Sequence, residues 1–215
     1  MNTKLRRSAV ALATAFASLM LLAAPAAAHS HSATLTGGTF SSTGLIPFTH
    51  TLGGTVGSGC TPTVSIDVDH TAQTGDITTF TIPMHFTLGS VHYVSTITRS
   101  SSTVGTVSQT ATSGLISNLG VGLSIVIRAA ANNSSTNVDC TTTGTVLCTL
   151  RVVNPLRLSG SYTHTGTGSI ESSNTFALSS TSSAITIGIG TCMVPFSTYN
   201  GQTATITGLT GHIDT

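Results

Sequence analysis

Two imidazoles flank a single serine at His29-Ser30-His31, directly after an alanine-rich run that ends at Ala28. A cut between Ala28 and His29 would leave a free amine, two backbone amides and an imidazole at the third position. Those four nitrogens make the square-planar set that Cu(II) and Ni(II) prefer. In a second arrangement, the amine and ring of His29 pair with a distant imidazole. Copper is the one cofactor that these residues suggest, with His29 and His31 as its ligands.

A second group lies in "DVDH", where Asp67, Asp69 and His70 are followed by His85 and His92. Two carboxylates and an imidazole at that spacing can bind calcium or a transition metal, or share acid and base roles. The run from Asp67 to Asp76 is not an EF-hand loop: alanine stands at its sixth position and threonine at its twelfth. The polar face of a half-buried strand accounts for the same residues. Nucleophilic catalysis has little support. Gly-x-Ser-x-Gly does not occur, and "GGTVGSG" (53–59) lacks the spacing of a phosphate loop. With Glu171 the sole glutamate, a paired-carboxylate glycosidase has few candidates. A non-enzymatic protein is expected.

The frame for these residues starts with export. Lys4, Arg6 and Arg7, an apolar run from Ala9 to Ala24, and small residues at Ala26 and Ala28 read as a cleavable secretory signal over residues 1–28. The mature chain, 29–215, has four arginines against six carboxylates, net −2, and no lysine. It offers no basic patch, so nucleic acid and anionic membrane surfaces are excluded as partners. No transmembrane segment is expected in it. Serine and threonine fill about a third of the chain, where an ordinary domain carries charge. Such residues suit pleated strands and suit helices badly.

Four cysteines in an exported chain predict two disulfides, with three connectivities open. Sequence proximity favours Cys140–Cys148, leaving Cys60–Cys192. The local bridge would contribute about 2.6 kcal/mol and the long one about 5 kcal/mol by chain entropy. Alternation is clean in "PTVSIDVD" (62–69), where Val64, Ile66 and Val68 face one way. "GLISNLGVGLSIVIR" (114–128) could pass for a helix, but Gly120, Gly122 and its β-branched run make it a strand. Ten or more short strands with no firm helix predict a single all-β domain, a two-sheet β-sandwich of Ig-like or jelly-roll-like type, with a barrel as the related solution. "ATLTGGT" (33–39) and "ATITGLT" (204–210) agree at five of seven positions. Either threonine-rich strands simply look alike, or the first and last strands are neighbours that close the sheet.

Two resemblances bear on these features. A mature chain beginning with histidine, exported and β-rich, resembles the lytic polysaccharide monooxygenases, which implies copper at the amino terminus. "VDCTTTGTVLC" (138–148) is similar to a disulfide hairpin of the neocarzinostatin family of secreted β-sandwich carriers. That likeness implies a bridged hairpin at this place.

The composition therefore predicts a secreted, non-catalytic bacterial protein. It would be an envelope or surface component, or a module binding an uncharged ligand such as a glycan or another protein. The alternatives are a copper protein using His29 and His31, or a carrier of a small apolar molecule. Asn132 and Asn133 match glycosylation sequons, relevant in a eukaryotic producer. Weakly charged strand edges make self-association an expectation.

Overall fold

A computed structural model describes residues 29–43, 48–52, 57–69, 71–109, 113–130, 139–141, 144–163, 174–188 and 192–213. The expected signal segment, His70, Asn132 and Asn133 lie outside the described residues. Twelve strands account for most of the described chain: β1 (His29–Thr43), β2 (Phe48–Thr51), β3 (Thr63–Asp69), β4 (Thr74–Leu88), β5 (Val91–Thr103), β6 (Gly105–Gln109), β7 (Ser113–Ala129), β8 (Val146–Val152), β9 (Leu156–Thr163), β10 (Asn174–Ser180), β11 (Ser183–Ile187) and β12 (Thr203–Ile213). A single 3-10 turn, Phe196–Tyr199, precedes β12.

The pairing is a meander. β2 and β3 both bond to β1, β5 and β6 both bond to β7, and β8 and β9 both bond to the opposite edge of β7. β10 and β11 likewise follow β9 and β8, and β12 bonds to both. Each of these pairs acts as one long strand with a bend in it. Eight such strands thus run up and down in sequence order, and the last returns to the first through the ladder from Ala33↔Ile213 to Thr43↔Thr203. All these ladders are antiparallel, and the sheet closes on itself.

The all-β, two-layer architecture with two disulfides is therefore present. Its layers are opposite walls of one continuous sheet. An eight-stranded ring is just wide enough for side chains to fill, and one core cluster fills it, including Phe40, Phe80, Ile97, Val121, Leu123, Leu156, Leu158 and Ile206. Alternation does the sorting: His31, Ala33 and Leu35 are buried, while Ser30, Ser32, Thr34 and Thr36 are exposed. Among the described residues, no helix is long and apolar enough to cross a membrane. The side-chain pattern is also the reverse of a membrane barrel's, with apolar groups inside and hydroxyls outside.

The resemblance between "ATLTGGT" and "ATITGLT" has a spatial counterpart. The two segments lie antiparallel in the β1–β12 ladder, and register shifts fall on either side of Gly37. Gly38 has φ +124, and a Cβ there would meet the Leu209 backbone at 2.8 Å. Glycine permits that bulge at the seam of the barrel. Closure pairs β1 with β12, while among the described residues β2 bonds only to β1 and β4 beyond Thr81 bonds only to β5.

Strand length differs from expectation: β1, β4 and β7 have 15, 15 and 17 residues. Pro83 sits inside β4. The ladder to β3 ends at Thr81, so the missing N–H falls where β4 is bonded on one side only. Two aromatic rings cover cross-strand glycines. Tyr162 lies over Gly114, and Phe176 lies over Gly211, each filling the space that a side chain would take.

The disulfides correct the expected connectivity: Cys60 joins Cys140 and Cys148 joins Cys192, not Cys140–Cys148 and Cys60–Cys192. Cys148 lies in β8, where its partner across the ladder is Ile127 of β7. Meanwhile Cys140 N–H donates to the Ser58 carbonyl (2.8 Å), setting Cys140 beside the Cys60 loop. Gly188 and Met193 N–H groups donate to Thr149 and Leu147 of β8, which brings Cys192 to Cys148. Sequence proximity misleads where hydrogen bonds to distant segments place each cysteine.

Candidate functional site

Two small interior cavities lie among the described residues. One cavity of about 20 Å³ lies among Phe40, Ser42, Phe86, Ser95, Ile127 and Tyr199. Another of about 20 Å³ lies among Ile66, Val68, Val107, Ile116, Tyr162 and Ile213. Each has room for about one water. The hydroxyls of Ser42 and Ser95 are buried in the first without a protein hydrogen-bond partner. Burial raises the pKa of both Tyr162 and Tyr199, so these phenols stay neutral across the physiological range. The Tyr162 hydroxyl donates to the Ser108 carbonyl at 3.3 Å.

One end of the barrel is closed by aromatic rings. Phe86 and Tyr93 face each other across the β4–β5 ladder, stacked at 5.4 Å. Phe196, from the 3-10 turn, meets Tyr93 edge-on at 5.0 Å and Phe86 at 6.3 Å. The Cys148–Cys192 bridge fixes the segment that leads into this plug.

On the outside, β1, β12, β10 and β9 together form a groove of about 300 Å³, lined by Thr36, Thr210, Ala177, Ser161, Thr175 and Thr163 over Gly211. The register explains its shape. Ala177 lies opposite both Thr210 and Ser161, and Gly37 lies opposite Thr210. Small residues in the middle of a threonine-covered sheet leave a trough that hydroxyls flank and that the Tyr162 and Phe176 rings also line. Thr36 Oγ1 donates to Thr210 Oγ1 at 3.4 Å, and the Thr163 and Thr175 hydroxyls bond at 2.6 Å. Among the described residues that line it there is no Asp, Glu, Lys, Arg or His, and the one phenol, Tyr162, is held neutral by burial. Each hydroxyl can donate and accept, so the groove matches a neutral, hydroxyl-bearing ligand.

The residues singled out by sequence are dispersed. His29 and His31 lie in β1, where the backbone from His29 to Ala33 runs in a ladder with Val64 to Val68. The His31 ring is turned inward and buried. Square-planar coordination through the backbone amides requires residues 29–31 to leave that ladder. Asp69 caps the β3–β4 turn, accepting from Thr71 N–H (2.9 Å) and Ala72 N–H (2.8 Å). Asp67 stands directly opposite Asp76, and one oxygen of each is buried without a hydrogen bond. The other Asp76 oxygen accepts from Ser102, which in turn accepts from Arg99. Asp76 was not singled out by sequence, although "DVD" and "TGD" flank one tight turn. Among the described residues, no three His, Cys, Asp or Glu side chains group to hold a metal ion.

His85 and His92 do meet, with Nε2 and Nδ1 3.0 Å apart. Burial, and secondarily the neighbouring His92, lowers the pKa of His85 from its ordinary value of 6.5. Neutral His85 is thus favoured by the fold. Its stabilising effect is complete above about pH 6.5 and is lost as pH falls through the depressed value. Calorimetry from about pH 8 down to about pH 5 should show Tm falling on the acid side, with a shallower fall in His85→Gln. Equal slopes in the two proteins would show that His85 does not couple to folding.

No protein family matches this chain, and neither a curated protein nor a solved structure does.

Proposed function

We propose that this is an exported, non-catalytic binding protein of a bacterial-type envelope or surface, and that its β1–β12–β10–β9 groove takes a segment of an uncharged polysaccharide. The groove carries this reading: about 300 Å³ that combines threonine and serine hydroxyls with the apolar surface of Ala177, Tyr162 and Phe176, with no charged group among the described lining residues. That volume is at the lower end of small-molecule sites, which suits a short stretch of sugar rings. Disulfides at both bridges suit an oxidising compartment, and the alanine-rich amino-terminal run supplies the export signal. Hydrogen bonds exchanged with water each contribute about 0.5–1.5 kcal/mol. Single-site binding is therefore weak, and polymeric ligands gain by avidity. The interior cavities found among the described residues, about 20 Å³ each, are far smaller than this surface groove.

Ala177→Arg tests the groove directly, because it lays a long charged side chain across the trough from an outward position on β10. Affinity electrophoresis in gels containing neutral polysaccharides should show at least a tenfold loss of retardation, with Tm little changed. Thr106→Arg, on exposed β6 away from the groove, should keep full retardation. Equal retardation of Ala177→Arg and wild type would remove the groove from consideration.

A further inference from the structure

The β4–β5 hairpin carries a pair of groups that the polysaccharide groove does not use. Thr87 lies opposite His92 and Val94 opposite His85, so the two histidines are diagonal neighbours across the ladder. Their rings are 5.1 Å apart and 23° from parallel. Behind them, the facing Phe86 and Tyr93 rings are held by Phe196. The pair thus stands on paired strands with a packed support, the setting in which a binding geometry is best preserved.

We propose that His85 and His92 form a two-imidazole site for a divalent transition-metal ion of the Cu(II) or Ni(II) class. The facing nitrogens, His85 Nε2 and His92 Nδ1, are 3.0 Å apart. Metal–imidazole bonds run about 2.1 Å, so one ion touching both would see them at about 90°. That is the angle between adjacent corners of a square-planar or tetragonal set, the geometry of Cu(II) and Ni(II). A tetrahedral ion such as Zn(II) would need the nitrogens about 3.4 Å apart at the same bond length. Water completes the coordination.

The protons balance without an acid or base. In the metal-free pair, one ring N–H points at the lone pair of the other ring. On binding, that proton moves through solvent to the outer nitrogen of the same ring, either Nδ1 of His85 or Nε2 of His92. Both facing nitrogens then present lone pairs, and no net proton is released from two neutral rings. The preference of His85 for its neutral form keeps it ready for the ion at neutral pH. Arg128, which lies opposite Val94 on β7, turns its guanidinium to the Gly144 carbonyl at 3.1 Å.

Titrating Cu(II) alone into the exported protein at neutral pH, with nitrogen-15 NMR of the imidazole side chains, tests the site. Paramagnetic broadening should remove the His85 and His92 ring signals with the first or second equivalent, separately from any loss at His29 or His31. His85→Gln and His92→Gln should each weaken this event at least tenfold. Survival of both ring signals beyond the second equivalent would overturn the proposal, as would undiminished affinity in the glutamine variants. The wild-type spectrum decides the matter even if a variant folds poorly.

Discussion

Replacing Phe196 with alanine is expected to lower the unfolding free energy by about 3–5 kcal/mol, the usual cost of truncating a buried phenylalanine. Phe196 is 1% exposed and its ring contacts both Phe86 and Tyr93 edge-on. Its loss would open the space beneath the plug beside the small cavity at Phe86 and Tyr199. For a domain of this size, each kcal/mol moves Tm by about 2–4 °C, so a fall of at least 6 °C is anticipated. Thermal melts followed by near-ultraviolet circular dichroism would measure it. A loss below about 1 kcal/mol would show that the turn does not close the barrel.

The second large effect concerns Cys60 and Cys140. Their bridge closes a sequence separation of 80 residues, against 44 for Cys148–Cys192. On the chain-entropy argument these contribute about 4.5 and 4 kcal/mol. Cys60→Ala with Cys140→Ala should therefore lower stability by about 4–5 kcal/mol, slightly more than the corresponding double substitution at 148 and 192. The same protein, digested without reduction, should yield peptides joining 60 to 140 and 148 to 192. Recovery of a Cys140–Cys148 peptide, or no loss of stability in the double variant, would contradict the connectivity described above.

Local pattern made much of this fold legible. The alternation of Val64, Ile66 and Val68 defines β3 because a half-buried strand sorts its side chains by position. Gly120 and Gly122 mark β7 as strand rather than helix, and both lie within it. The kinship of 33–39 with 204–210 leaves two readings open; the ladder makes the first and last strands neighbours, with the two segments themselves meeting at Gly37↔Thr210 and Thr39↔Thr207. What was not legible depends on distant register. Cys140 finds Cys60 because a loop hydrogen bond at Ser58 sets it there, and spacing contains no trace of that. The groove was hidden for a different reason. Hydroxyls cover the whole sequence, and Ala177 stands out only once it is known to lie between Thr210 and Ser161. The sequence groups His85 and His92 with Asp67, Asp69 and His70, whereas the hairpin turn at Gly89 pairs the two histidines with each other.

The most direct test of a neutral binding surface is co-sedimentation of the exported protein with insoluble uncharged polysaccharides and with immobilised polyanions, at about 20 mM and about 500 mM salt. Charge-driven binding weakens steeply over that range, whereas hydrogen bonding to a neutral polymer does not. Retention on at least one neutral polysaccharide, equal at both salt concentrations and reduced by Ala177→Arg, is the expected result. Binding confined to polyanions and released by salt would contradict it, and so would the absence of retention on every neutral polymer.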